Sequence, residues 1–254
     1  MGVPGVLLMI DPVLFQLGPF AVRWYGLCMA LSVGVGFYYL LNGGRRLGCD
    51  DDFLYNLAFF VVLSGIVGAR AVYVATNWSI YAQEPWAIWR IDLGGLSFHG
   101  AVIGGILGAW PYLRRHGASF SALADHAVPG LAFGIAIVRW ANLINQEAMG
   151  RVTAQGFVHP TQIYGSAIGV VLLAINAYLS RRQPPPGYLF WSFVLYYSIL
   201  RGFVEETFRA NPLYAGGWVI PRIGAGFFTL TQLLTPVFIG LAWWMRKRTL
   251  ERRQ

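Results

Sequence analysis

The chain has 254 residues, of which 56% are hydrophobic, 16% aromatic and only 12% charged. That is too apolar for a soluble domain of this length. The net charge of +8 would suggest a nucleic-acid partner in a soluble protein, but here it fits loop charge in an integral membrane protein better, and no nucleic-acid role is expected.

Residues 1–18 hold an apolar patch, Val6 to Ile10, followed by Asp11-Pro12. The patch is too short to span and suits the membrane interface. A cleavable signal is not expected, because no basic residue precedes Arg23 and no clear small-residue cleavage site follows. Seven apolar runs come next, each close to the roughly 17–25 residues that a spanning helix needs. They are predicted at 19–41, 53–75, 97–113, 123–143, 161–180, 188–208 and 223–245. Trp78, Trp86 and Trp89 sit between the second and third runs and suit the headgroup belt. No Pro/Ser-rich linker divides the chain, so one all-α, polytopic membrane domain over residues 1–254 is expected. Cys28 and Cys49 do not make a disulfide framework, and no Cys/His spacing suggests a metal.

Loop charges give the expected orientation. Arg45, Arg46, Arg114, Arg115, Arg181, Arg182, Arg246, Lys247, Arg248, Arg252 and Arg253 follow the odd-numbered runs, whereas Arg90, Arg151, Arg209 and Arg222 lie on the other side. The positive-inside rule then puts the N-terminus outside and the C-terminus in the cytoplasm. Arg23, Arg70, Arg139 and Arg201 remain inside the runs, and on this topology all four lie in the outer half of the membrane. His99, Glu147, His159 and Tyr164 fall at the same level. Ionisable groups inside a span are rare and mark a site by default. A cationic, partly buried pocket at the outer leaflet is therefore expected.

The densest polar stretch runs from Arg139 to Arg151. It carries Asn142, Asn145, Gln146 and Glu147 where an apolar helix should be ending. Arg139 and Asn142 are three apart and share a helical face that Gln146 continues. Snorkelling to headgroups accounts for an arginine such as Arg23 or Arg70. It accounts less well for Arg139, whose planar fork of donors suits a phosphate. Tyr197, Arg201, Glu205 and Arg209 are spaced by four and form one stripe at helical pitch. A structural ladder explains Glu205 best, and a ligand contact explains Arg201 better. Gly100, Gly104 and Gly108 read as a close-packing face. His99 is either a proton-transfer group or a hydrogen-bonded interface histidine. Pro160 and Thr161 open the fifth run, where Thr161 is expected to cap nearby amides.

Several segments resemble one family in the same order. RWYG at Arg23, SFHGAVIG from Ser97, RWANLINQEAMGR from Arg139, HPTQIY from His159 and YSILRGFVEETFR from Tyr197 are similar to prolipoprotein diacylglyceryl transferases. The resemblance implies a bacterial inner-membrane enzyme with its active site toward the periplasmic leaflet. Such an enzyme moves the diacylglyceryl group of phosphatidylglycerol onto a lipobox cysteine of a preprolipoprotein, forming a thioether and releasing glycerol-1-phosphate. It also implies functional positions at Tyr25, His99, Arg139, Asn142, Glu147, Gly150 and Arg201, with Asp125, Glu205 and Arg209 matching as well. On this reading Arg139, Asn142, Asn145, Gly150, Arg201, Glu205 and Arg209 hold the lipid. Arg139 and Arg201 stabilise charge on the leaving phosphate, Glu147 orients Arg139, and His99 or the arginine field activates the thiol. No cofactor or metal is needed. The family pattern departs here at Ala101, at Ala141 and at Thr229-Leu230-Thr231-Gln232, which leaves a specialised member open. The rival class, a transporter or channel for an anionic solute, predicts polar residues through to the cytoplasmic half and internal repeats. Neither is evident in the sequence.

Overall fold

The computed structural model describes residues 10–18, 20–90, 95–210 and 214–251. Most of the patch at Val6 to Ile10 and the basic pair Arg252-Arg253 lie outside the described residues. Two compact units divide the chain: residues 40–123, and residues 10–39 with 124–251.

The unit formed by residues 40–123 is built on a helix hairpin. α1 (Trp24–Arg46) ends in it, α2 (Asp51–Thr76) and the short α3 (Trp78–Tyr81) follow, and α4 (Phe98–Arg115) returns. Asp50 caps α2 by accepting from the Asp52 amide. α2 and α4 approach backbone to backbone. A Cβ added at Gly68 would lie 2.4 Å from Gly100 O, and one at Gly104 would lie 2.2 Å from Ser64 O. The glycine face expected on α4 is thus a packing face, and Gly65 and Gly68 of α2 supply its counterpart. Leu54, Leu57, Ala109, Leu113 and Leu123 form the core beside it.

Arg70 lies in this unit and does not snorkel. It is buried, and its guanidinium donates to the carbonyls of Ala87, Ile88, Arg90 and Gly95 and lies over the Tyr81 ring. Four backbone carbonyls are gathered around one fork of donors.

The unit formed by residues 10–39 and 124–251 begins with a two-stranded ribbon, β1 (Val13–Leu17) and β2 (Phe20–Arg23). It continues with α1 up to Tyr39, α5 (Phe120–Ile144) from Ala124, α6 (Thr161–Ser180) and α7 (Tyr188–Ile199). A π-helical turn over Leu200–Glu205 and the short α8 (Glu206–Phe208) end that run. A second ribbon, β3 (Tyr214–Ile220) with β4 (Ala225–Thr229), leads into α9 (Leu230–Glu251). α5 and α6 pack through Ala132, Ala136 and Gly169, and Ser166 Oγ donates to Ala136 O. Ala132, Ile168 and Leu172 form the core there, flanked by Phe193, Tyr197 and Leu200. Asp125 of α5 caps α7: its carboxylate accepts from the Gly187 and Phe190 amides, both at 2.7 Å. Those amides would otherwise be orphan donors of a helix start.

Among the described residues four helices, α1, α2, α5 and α6, are long and apolar enough to cross a membrane. Two expectations need correction. The chain is not all-α, because it carries two β-ribbons. The predicted first and last spans also start too early: residues 20–23 and 225–229 are strands. Apolar runs alone do not separate ribbon from helix. The turn signals Gly18 and Pro221-Arg222-Ile223-Gly224 mark where the chain reverses instead, with Gly18 at φ 58° and Gly224 at φ 60°.

Candidate active site

Within the larger unit, α5 delivers Arg139 one turn before its end. Its side chain passes over Gly165 of α6, where an added Cβ would lie 2.4 Å from Nε. Only a residue without Cβ leaves that path open. Arg139 Nη2 then lies 2.8 Å from Oε1 of Glu205, whose side chain is 1% exposed. Arg201 Nε lies 3.7 Å from the other oxygen, Oε2. Neither contact is aligned as a hydrogen bond, so the buried carboxylate holds both arginines by charge. Arg201 Nη1 also donates to Glu206 Oε2 at 2.6 Å.

Arg209 completes the cluster. It sits just past α8, and an isolated bridge ties its backbone to Gly150. Burial first, and then the charges of Arg201 and Arg139, lower its guanidinium pKa. Glu205 and Glu206 offset this in part. Three arginines against two buried carboxylates leave one positive charge in excess. Among the described residues no carboxylate or carbonyl is hydrogen-bonded to the Arg209 guanidinium. Such a cluster suits an anion with several oxygens.

A loop from Asn145 to Pro160 lies beside the cluster. Glu147 accepts from Asn142 Nδ2 at 3.0 Å and from Asn145 Nδ2 at 3.3 Å. Gln146 and Ala148, on either side of it, take φ of 55° and 53°. Left-handed backbone costs a residue with a Cβ roughly 1–2 kcal/mol, and α6 holds this strained arrangement down. Gln162 Nε2 donates to Glu147 O, and Thr161 Oγ1 donates to Ala148 O, each at 2.7 Å. His159 clasps the far side, with Nδ1 3.1 Å from Tyr164 Oη and Nε2 2.8 Å from Ile223 O. A Cβ at Gly150 would fall 1.9 Å from His159 O. Tyr25, at the start of α1, is half-buried and within electrostatic reach of Glu147 and Arg139.

The structure therefore brings together Arg139, Arg201, Glu205 and Arg209, and beside them Asn142, Asn145, Glu147, Gly150 and Tyr25. His99 is in the other unit, in the first turn of α4, and its side chain lies outside the described residues. Several expectations change. Arg139 is paired with Glu205, and Glu147 holds the two asparagines. α5 ends at Ile144, so Gln146 does not continue the Arg139 face. Thr161 donates to a carbonyl and, among the described residues, caps no amide. The four-residue stripe keeps its Arg201–Glu205 pair, but the π turn changes the pitch after Leu200 and brings Glu206 to Arg201 as well. Glu206 and Gly165 had no signal at α-helical spacing. Among the described residues no group of three or more His, Cys, Asp or Glu is placed to hold a metal.

These residues fall in a chain whose residues 12–246 match the family model described as prolipoprotein diacylglyceryl transferase. The chain belongs to that family. It is 45% identical over 243 residues to the phosphatidylglycerol–prolipoprotein diacylglyceryl transferase of a Thermoanaerobacter species, covering 95% of both chains. It is 44% identical to that of Caldanaerobacter subterraneus, again with 95% of each chain covered. The Thermus thermophilus enzyme of the same name is 35% identical, over 92% of this chain and 96% of that one. The RWANLINQEAMGR segment that places Arg139, Asn142, Glu147 and Gly150 lies inside the matched region, as does the segment that places Arg201 and Arg209. The family is one of transferases.

Proposed function

We infer that the protein transfers the diacylglyceryl group of phosphatidylglycerol to the lipobox cysteine of a preprolipoprotein, within a bacterial cytoplasmic membrane. The observation that carries this reading is the arginine cluster on Glu205, within a chain related along nearly its whole length to enzymes of that name. The relatives carry a transferase's name, and nothing in the site favours a solute transporter.

The chemistry follows from the charges. A cysteine thiolate attacks the glyceryl carbon that bears the phosphate. A C–S bond forms, the C–O bond breaks, and the electron pair leaves on glycerol-1-phosphate. The diester carries one negative charge and the thiolate another, so the leaving phosphate monoester gathers two. Arg139 and Arg201 stabilise the second charge as it grows, where fixed donors in a water-poor site are most effective. Arg209, Asn142, Asn145 and Gly150 line the lipid headgroup site, and Tyr25 and Glu147 border it. His99 is the proposed base, and the thiol must be ionised to react. Seven spans, an outside N-terminus, a cytoplasmic C-terminus and an outer-leaflet site complete the reading, on the loop charges.

Purified protein with phosphatidylglycerol and a lipobox peptide tests it. The expected result is a peptide mass increase of one diacylglyceryl group, with one glycerol-1-phosphate released per thioether. Turnover of the lipid without peptide modification would refute it.

A further inference from the structure

Arg201 sits in a π-helical turn, Leu200–Glu205, and this changes which residue meets it. At α-helical pitch the fourth residue on shares its face, and the fifth points away. A π turn closes on i+5, and such turns recur at functional sites. Here the fifth residue on is Glu206. Its side chain is fully buried, and its Oε2 accepts from Arg201 Nη1 at 2.6 Å, closer than the 3.7 Å between Glu205 and Nε.

Glu206 stands on a braced base. Its neighbour Thr207 donates to Phe203 O at 2.7 Å and accepts from Gln232 Nε2 at 3.1 Å. Gln232 in turn accepts from the Thr229 amide through Oε1, while its own amide donates to Thr229 Oγ1. That reciprocal pair is a capping box at the start of α9. Gly202 packs against Thr235 of α9, where a Cβ would lie 2.3 Å from Oγ1. The base of the clamp is therefore fixed from two sides.

A guanidinium has five donors in one plane. Glu206 takes one on Nη1 and Glu205 faces Nε. Among the described residues nothing is hydrogen-bonded to Nη2, which leaves the donors of that nitrogen for a ligand. We propose that Glu206 is a positioning residue that fixes the Arg201 guanidinium so that its Nη2 donors meet the leaving phosphate. The inference rests on the transfer reaction proposed above. Glu206 does not touch the lipid. It sets the angle of the group that does.

The effect should appear where the second phosphate charge appears. The diester ground state lacks that charge, whereas the transition state and the glycerol-1-phosphate product carry it. The test uses the full chain in lipid nanodiscs, with Glu206→Gln and Glu206→Leu beside wild type. The amide oxygen of Gln can still accept from Nη1, and Leu cannot. Expected kcat falls about tenfold in Gln and about a hundredfold in Leu, with KM for phosphatidylglycerol within about threefold of wild type. Affinity for glycerol-1-phosphate, measured by calorimetry, should fall in the same order. Wild-type kcat and product affinity in both variants would overturn the proposal, as would a loss confined to melting temperature. If the Leu variant does not fold, wild-type values in the Gln variant alone overturn it. A wild-type protein without transfer refutes the reaction. Weakened glycerol-1-phosphate binding in the variants would in that case still support Glu206 as the residue that orients Arg201.

Discussion

The side chain of Arg139 lies directly over the Cα of Gly165, so closely that an added Cβ would sit 2.4 Å from Nε and 2.9 Å from Cδ. The neighbouring Gly169 faces a different obstacle, the Ala136 amide nitrogen at 2.5 Å and the Ala132 carbonyl at 2.8 Å. Gly165→Ala should therefore displace a side chain, and Gly169→Ala should push two helices apart. The first variant is expected to lose at least tenfold in kcat at a melting temperature close to wild type. The second is expected to lose stability first, by about 1–3 kcal/mol, as overpacked cores do. Transfer kinetics and thermal melts on both proteins check the contrast, and the reverse pattern would contradict it.

Arg139→Lys and Arg70→Lys should fail in opposite ways. Lysine keeps the charge at 139 but loses the planar fork, so transfer should drop by about a hundredfold or more in a folded protein. Arg70 serves four backbone carbonyls, which three ammonium hydrogens on a shorter reach cannot all satisfy. Arg70→Lys should lower the melting temperature and raise proteolysis between residues 82 and 96. Limited proteolysis beside activity separates the two.

Asp125 accepts two amides at the start of α7, so Asp125→Asn turns one acceptor into a donor facing an N–H. A lost cap typically costs about 0.5–2 kcal/mol. The unmatched donor places this variant at the upper end, seen as a lower melting temperature with kcat per folded enzyme within about threefold of wild type.

His99→Gln tests the proposed base. General-base assistance is worth about 10²–10⁴-fold, so transfer should fall by that order at neutral pH. Raising the pH should restore part of it, because more of the substrate cysteine is then already thiolate. Binding of phosphatidylglycerol should hardly change. A folded variant with near-normal neutral-pH transfer would remove His99 from the mechanism and leave activation to the arginines.

The sequence was most legible where one local rule decided the outcome. The glycines of α4 recur every four residues, and they pack as that spacing says. The polar stretch after Arg139 pointed to the candidate site because apolar helices do not carry such groups without reason. Long-range relations were less legible. Nothing near Arg70 in sequence announces four carbonyls between 87 and 95. Asp125 meets its amides 62 and 65 residues away. Thr229-Leu230-Thr231-Gln232 reads as a departure from the family pattern, yet it forms a capping box that also reaches Thr207. The two ribbons were hidden because their apolar residues extended the neighbouring helical runs. Glu206 was missed because the stripe was counted at one pitch, and the chain changes pitch there.

That change of pitch makes the site depend on chain length as well as on chemistry. A π turn amounts to one extra residue accommodated within a helix. Removing a single residue between Arg201 and Glu206, Phe203 for instance, would let the segment close as an ordinary α-helix. Glu206 would then stand four residues from Arg201, in the place Glu205 holds now. Glu206 would still face Arg201 from there, while Glu205, now three residues from Arg201, would turn away from Arg139. Every charged group would still be present, but the two carboxylates would no longer serve Arg139 and Arg201 together. Insertions and deletions in this segment should therefore be far less tolerated than substitutions at its exposed positions, Phe203 and Val204.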